Sequence, residues 1–204
     1  MEQTNQSDIP DFNRKYGQIV NILGTFENED IKEFALRVVN ELPKYWWMAP
    51  ASSTGKYHPE YSLGDGGLLK HSIAVIKFLN YFFDIDYIKA EFSSRERDLL
   101  RLAGLVHDGL KQGYSEEGEG TTVFDHPILM AQRLLSYANQ PGQNQLRNVD
   151  EYFYISTVIA SHMGQWNTDS YSDIVLPQPQ LKQQKILALA DYLASRKSIM
   201  ITDF

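Results

Sequence analysis

The residues able to do chemistry are few. The chain has five histidines, His58, His71, His107, His126 and His162, and no cysteine. Without cysteine there is no disulfide, no thiolate catalysis and no thiolate-held zinc or iron–sulfur site, so a bound metal would need imidazole and carboxylate ligands. Four of the histidines sit in or beside apolar stretches. At helical spacing His71 shares a face with Leu68, Ala74, Val75 and Phe78, and His162 shares one with Ile155, Val158 and Ile159. Asp191 follows Leu187 by four residues and precedes Ala194 by three, which places its carboxylate on an inward stripe. A single histidine on an apolar face is ordinarily a satisfied core residue. Several buried imidazoles together with a buried carboxylate are costly unless they converge on one another or on a cation. Their nitrogen and oxygen donors suit zinc, iron, manganese, cobalt or nickel, and ligand softness does not choose among these. The pair His107-Asp108, closing the apolar stretch 99–106, adds two ligands of different hardness at a point where a helix opens into a loop.

Helices must position these groups. Apolar residues recur at three and four along most of the chain, without internal repeat, low-complexity block or long linker, so the expected fold is all-α, a single-domain helical bundle. The pattern predicts helices over 31–42, 66–83, 94–106, 127–137, 150–162 and 180–195, with another near 12–23. Ser93 and Glu96 have capping-box spacing, and Asp125 is an expected N-cap before Pro127. Gly66 and Gly67 match neither a Walker motif nor a dinucleotide fingerprint; they read as a tight entry turn or a close helix packing near the metal ligands. Three connections, 43–65, 109–124 and 164–179, are long for a compact helical domain, and such segments often carry function. The acidic run 115–120 within the second reads as a mobile, solvated surface loop.

At 204 residues, 43% hydrophobic and 22% charged, the chain has the balance of one ordinary globular domain, expected over 11–204 after a flexible segment 1–10. The first ten residues contain no apolar stretch that could act as a signal peptide, and no apolar run could span a bilayer, so a cytoplasmic location is expected. A net charge of −7 argues against an extended basic surface for duplex DNA or for anionic lipid. Small anionic ligands are compatible with it, because a metal can supply positive charge locally.

Five blocks in order carry a family resemblance: GGLLKHS at 66–72, LAGLVHDGLK at 102–111, DHPILMA at 125–131, IASHMGQW at 159–166 and LALADYLASRK at 187–197. Together they resemble the HD superfamily of metal-dependent phosphohydrolases, most closely its small stand-alone bacterial and phage members. The resemblance implies that His71, His107, Asp108 and Asp191 hold a first divalent ion, and that Asp108 bridges to a second held by His126 and His162. A solvent-facing His126, or a His162 spent on a main-chain carbonyl, would leave room for only one. Two such ions can share a water, lower its pKa and hold the resulting hydroxide in line with phosphorus. Asp108 and Lys111 are then the expected catalytic residues, Lys111 directing its ammonium at a phosphate oxygen.

Outside the ligands, Lys56, Tyr57 and His58 are candidates for phosphate contact, leaving-group protonation or base stacking. Trp166 and Asn167 are candidates for base or sugar contact, and Arg196 for a phosphate. The plain alternatives are core packing or lid closure for Trp46, Trp47 and Trp166, and a helix-end cation for Arg196. The expected substrate is a small phosphorylated molecule or nucleotide, such as a mononucleotide, a cyclic nucleotide or a short oligonucleotide. Three other functions fit the same residues: a di-iron oxygenase, a 3′-5′ single-strand exonuclease, and a silent nucleotide-binding module. The last ordinarily lacks a metal ligand, and all six are present here.

Overall fold

The computed structural model describes residues 8–52, 54–140, 145–202 and 204. In chain order the helices are α1 (Asp8–Leu23), α2 (Glu29–Asn40), α3 (Tyr45–Met48), α4 (Gly67–Phe83), α5 (Asp86–Lys89), α6 (Ser94–Val106), α7 (His126–Tyr137), α8 (Val149–Ala160) and α9 (Lys182–Ala194), with a 3₁₀ turn at Glu60–Ser62 between α3 and α4. No strand occurs among the described residues. Residues 1–7 of the expected flexible segment lie outside the described residues, and the boundary expected at 10/11 falls inside α1.

The apolar periodicity explains the long helices. α2 buries Ile31, Phe34, Ala35, Val38 and Val39, a single stripe at three-and-four spacing. α4 is apolar nearly all round and is correspondingly the central helix, packed by α1, α3, α6 and α9. α6 is held in turn by α2 and α8, and α8 pairs with α7. At the far side of α2, Phe34 meets Tyr137 and Tyr152 edge-on, each with ring centroids 5.5 Å apart, a geometry that the ring quadrupoles favour.

Helix ends follow local chemistry, with two corrections. The capping box at Ser93 is present: its Oγ accepts from the Glu96 amide at 3.2 Å, and its own amide donates to Glu96 Oε2 at 2.8 Å. Asp125 stands at the N-cap of α7 but makes no side-chain cap bond, and the helix starts at His126 rather than Pro127. α8 stops at Ala160, so His162 lies in the following turn and not in the helix. The short helices α3 and α5 are too brief to leave a periodic signal.

Two glycines set how closely the site helices approach. At Gly67 a Cβ would lie 2.2 Å from the Ser62 carbonyl oxygen, so only glycine lets the 3₁₀ turn sit against the start of α4; Gly66, at φ +66°, makes the left-handed entry turn. The two readings of this pair therefore both hold, one residue each. At Gly104 in α6 a Cβ would meet Leu79 and Val75 of α4 at 3.1 Å and Leu187 of α9 at 3.5 Å. The crossing of α4, α6 and α9 at this point brings His71, His107 and Asp191 together.

Two of the long connections are fastened. The Tyr45 hydroxyl donates to the Gly113 carbonyl at 2.9 Å and accepts from the Gln112 amide at 3.0 Å, while the Tyr45 amide donates to the Glu116 carbonyl at 3.0 Å. The Lys44 amide also reaches Glu116 Oε2 at 3.1 Å. The acidic run 115–120 is mostly exposed, as its charge implies, yet it is docked on α3 rather than loose. Trp46 and Trp47 on α3 are buried in the core, which is the plain packing role. Asn167 closes the 164–179 connection, its carbonyl accepting from the Leu176 amide at 2.9 Å and its Nδ2 donating to the Leu176 carbonyl at 3.2 Å.

Candidate metal centre

Six side chains converge. His71 comes from α4, His107 caps α6, Asp108 follows it, His126 opens α7, His162 lies in the turn after α8, and Asp191 is on α9. The four histidines and Asp108 are at most 2% exposed. The Asp191 side chain, at 18%, marks the side on which the centre reaches solvent.

Asp108 stands between two halves. Its Oδ2 lies 3.5 Å from His107 Nε2 and 3.7 Å from His71 Nε2. Its Oδ1 lies 3.0 Å from His126 Nε2 and 3.5 Å from His162 Nε2. Asp191 Oδ1 joins the first half, 3.0 Å from His71 Nε2 and 3.6 Å from His107 Nε2. The ligand atoms of His71, His107 and Asp191, and those of His107, Asp108 and His162, form two sets within 4.8 Å internally.

Three of the four rings are oriented in the same way. His107 Nδ1 bonds the Gly104 carbonyl at 2.8 Å, His126 Nδ1 the Val123 carbonyl at 2.7 Å, and His162 Nδ1 the Ile159 carbonyl at 2.8 Å. A carbonyl can only accept, so each Nδ1 carries a proton, and the Nε2 of a neutral ring presents its lone pair to the centre. Gly104 and Ile159 belong to the last turns of α6 and α8, where carbonyls are short of intrahelical partners; the Ile159 carbonyl also accepts from the His162 amide at 3.1 Å. His162 thus bonds a main-chain carbonyl without being spent on it, because the other nitrogen faces Asp108; and His126 is buried, not solvent-facing.

The electrostatics of this donor set call for a cation. Burial pushes His126 below the usual imidazole range, so its Nε2 lone pair faces an Asp108 oxygen at 3.0 Å, two acceptors in contact. The buried atoms His71 Nε2, His107 Nε2, Asp108 Oδ1 and His126 Nε2 all lack a hydrogen-bond partner. Burial also lowers His71, though Asp191 partly offsets this. His107 goes the other way: burial opposes its charge, but the Asp108 and Asp191 carboxylates overcome that and raise it to about 10. Both carboxylates sit well below their ordinary range despite burial, Asp108 mainly through Lys111 and His107, Asp191 through His107 and His71. The His107 imidazolium and the Lys111 ammonium balance the two carboxylates but leave three inward-facing imidazoles without a cation, which divalent ions bound by nitrogen and oxygen donors supply.

Lys111 Nζ donates to Asp108 Oδ2 at 2.6 Å and is partly exposed. Its carbonyl accepts from the Val123 amide at 2.8 Å, and the Val123 carbonyl receives His126 Nδ1, so the fold of the 109–124 loop carries His126 to Asp108. His58 lies with its ring centroid 5.7 Å from that of His71; burial lowers its pKa to about 4, and its Nδ1 has no partner. Lys56 and Tyr57 are exposed beside it, the ammonium 5.1 Å from the ring centroid, and neither is seen against the ligands. Asn167 uses its side chain within its own loop. Arg196 donates to the Tyr192 carbonyl at 3.2 Å and to Ser195 Oγ at 2.9 Å, the helix-end role, and also covers the rings of Tyr192 and Trp166. Tyr192 was not among the sequence candidates; its signal was its place directly after Asp191. Three surface clefts elsewhere are lined by none of the six ligands.

No curated protein and no solved structure matches the chain. The sequence model of the HD domain family matches residues 68–196, a span that contains all six converging side chains. The chain therefore belongs to the HD domain family, a superfamily of metal-dependent hydrolases, and has that family's all-helical fold.

Proposed function

We propose that the chain is a metal-dependent phosphohydrolase acting on a phosphoester or phosphodiester of a small nucleotide, with two divalent transition-metal ions. The observation that carries the reading is the division of Asp108, one oxygen turned to His71 and His107 and the other to His126 and His162. In this reading His71, His107, Asp108 and Asp191 hold one ion, and Asp108, His126 and His162 the other. Bound there, the ions would neutralise phosphate oxygens and lower the pKa of a water for attack on phosphorus.

The chain's own residues do the rest. The Nδ1 bonds to main-chain carbonyls fix three imidazoles before any ligand arrives, so little ordering is left to do on binding. Lys111, held at Asp108 and partly exposed, is placed to donate to a non-bridging phosphate oxygen. His58, with Nδ1 unpartnered and its ring beside His71, is placed to hydrogen-bond the substrate on the same side. An acidic chain with a confined centre favours a small soluble nucleotide over a duplex.

The test is a panel of mononucleotides, cyclic nucleotides, short oligonucleotides and simple phosphoesters, run with manganese, cobalt, nickel, zinc or iron, with and without oxygen. Oxygen-independent release of phosphate or nucleoside, abolished by chelator, is expected. Iron-dependent oxygen consumption with no hydrolysis would overturn the proposal in favour of an oxygenase, and metal binding with no turnover of any kind would leave a binding module.

A further inference from the structure

We propose that Trp166, Tyr192 and Arg196 form a stacking platform for the planar base of a nucleotide at the mouth of the metal centre; that the base belongs to a phosphoester substrate rests on the hydrolase reading above. Trp166 and Tyr192 stack with ring centroids 5.6 Å apart and 13° between planes. The Arg196 guanidinium lies 4.4 Å from the Tyr192 centroid and 5.3 Å from that of Trp166.

Position ties this group to the site. Trp166 is four residues past His162, Tyr192 follows Asp191, and Asp191 is the ligand through which the centre meets solvent. The turn carrying Trp166 lies on α9, since a Cβ at Gly164 would be 3.9 Å from Ala188 Cβ. Exposure argues against simple packing. Trp46 and Trp47 are 0% and 8% exposed, whereas Trp166 is 43% exposed, so much of its ring surface stays in water unless something covers it.

The platform is also pre-ordered. The guanidinium is tied down by the Tyr192 carbonyl and Ser195 Oγ, and the chain directly after Trp166 is pinned by the two-way pairing of Asn167 with Leu176. Asn167 is therefore a positioning residue for Trp166. A rigid aromatic face backed by a fixed cation suits an anionic ligand with a π-face, and stacking tolerates any base.

Calorimetric titration with adenosine monophosphate and with the base-free ribose phosphate, in chelator so that nothing turns over, tests the platform by itself. The native chain is expected to prefer the nucleotide. Trp166→Leu should lower that preference about thirtyfold, the middle of the range for base–aromatic stacking, and Trp166→Phe should restore most of it. No preference in the native chain, whether both ligands bind or neither does, overturns the platform, as does an unchanged preference in Trp166→Leu. A preference that is intact in a chain with no phosphoester turnover would sink the hydrolase reading alone.

Discussion

Gly67→Ala sets two effects against each other, and their magnitudes decide the sign. In a helix interior alanine is favoured over glycine by about 1 kcal/mol, which is an upper bound for Gly67 at the first residue of α4, so propensity alone predicts a chain at least as stable. The new Cβ, however, would stand 2.2 Å from the Ser62 oxygen, 2.6 Å from its carbonyl carbon and 3.1 Å from Pro50 Cα, all of them backbone atoms that cannot rotate away. Ser62 is itself fixed, its amide and hydroxyl donating to the Pro59 carbonyl at 3.1 and 2.9 Å and its carbonyl accepting from the Ala51 amide at 3.0 Å. Relief requires the turn to lift off α4, which costs about 1–3 kcal/mol for the overpacking and about 1 kcal/mol for the hydrogen bond lost at Ser62. The net is a loss of about 1–3 kcal/mol. For a chain of this size each kcal/mol is worth about 2–4 °C, so Tm should fall by about 2–12 °C in calorimetry. Because the displaced segment carries His58 to His71, kcat/KM should fall as well, at temperatures where the variant is folded. An unchanged or higher Tm would refute the close-packing account of this glycine.

Asp98 is fully buried, its Oδ2 accepting from the Glu27 and Asn28 amides and Asn28 Nδ2 at 2.7–2.8 Å and its Oδ1 from Arg101 at 2.6 Å; Asp98→Ala should cost about 3–5 kcal/mol in urea unfolding, and a loss below 1 would contradict that. His126→Ala or His162→Ala should remove about one metal ion per chain by elemental analysis while the other stays, and full retention would speak against a two-ion centre. In chelator-treated protein His71 and His126, lowered by burial, stabilise the fold above their unfolded pKa and less as pH falls through it, whereas His107, raised to about 10, contributes fully below its unfolded pKa and loses that contribution as pH climbs toward its folded value. Thermal stability of that form should therefore peak near neutral pH, and a steady rise from neutral to alkaline pH would be the wrong sign. The same proton on His107 must leave when a cation binds, so titration of metal at neutral pH in two buffers of different ionisation heat should report release of about one proton, and none would argue against His107 as a ligand.

Part of this centre was legible in the sequence because His71 and Asp191 interrupt apolar stripes. Leu68, Ala74, Val75 and Phe78 are buried with His71, and Leu187 and Ala194 flank Asp191 in the core, as helical spacing implies. What spacing could not supply was orientation. The Nδ1 bonds of His107 and His162 depend on where α6 and α8 end, and α8 ends two residues earlier than its apolar pattern suggests. The docking of 115–120 on α3 was hidden for a similar reason: most of its charge is exposed as expected, but the main-chain carbonyls of Glu116 and Gly113 and the Glu116 carboxylate bond the chain at Lys44 and Tyr45, and such pairings leave no mark on composition. Asn167 has a role that its sequence position does not display, since its side chain bonds Leu176 and Gln178 within its own loop. The glycine pair is legible on both counts because a left-handed turn at Gly66 and a close approach at Gly67 are the two things glycine alone permits.

Metal stoichiometry in the native chain and in Asp108→Ala, prepared identically, tests the central claim most directly. Among the described residues Asp108 is the one carboxylate that faces all four of these histidines, so its loss should strip both halves of the centre. About two divalent ions per native chain and close to none in the variant, with the two proteins equally folded by circular dichroism, is the predicted result. Equal metal content in the two would contradict it.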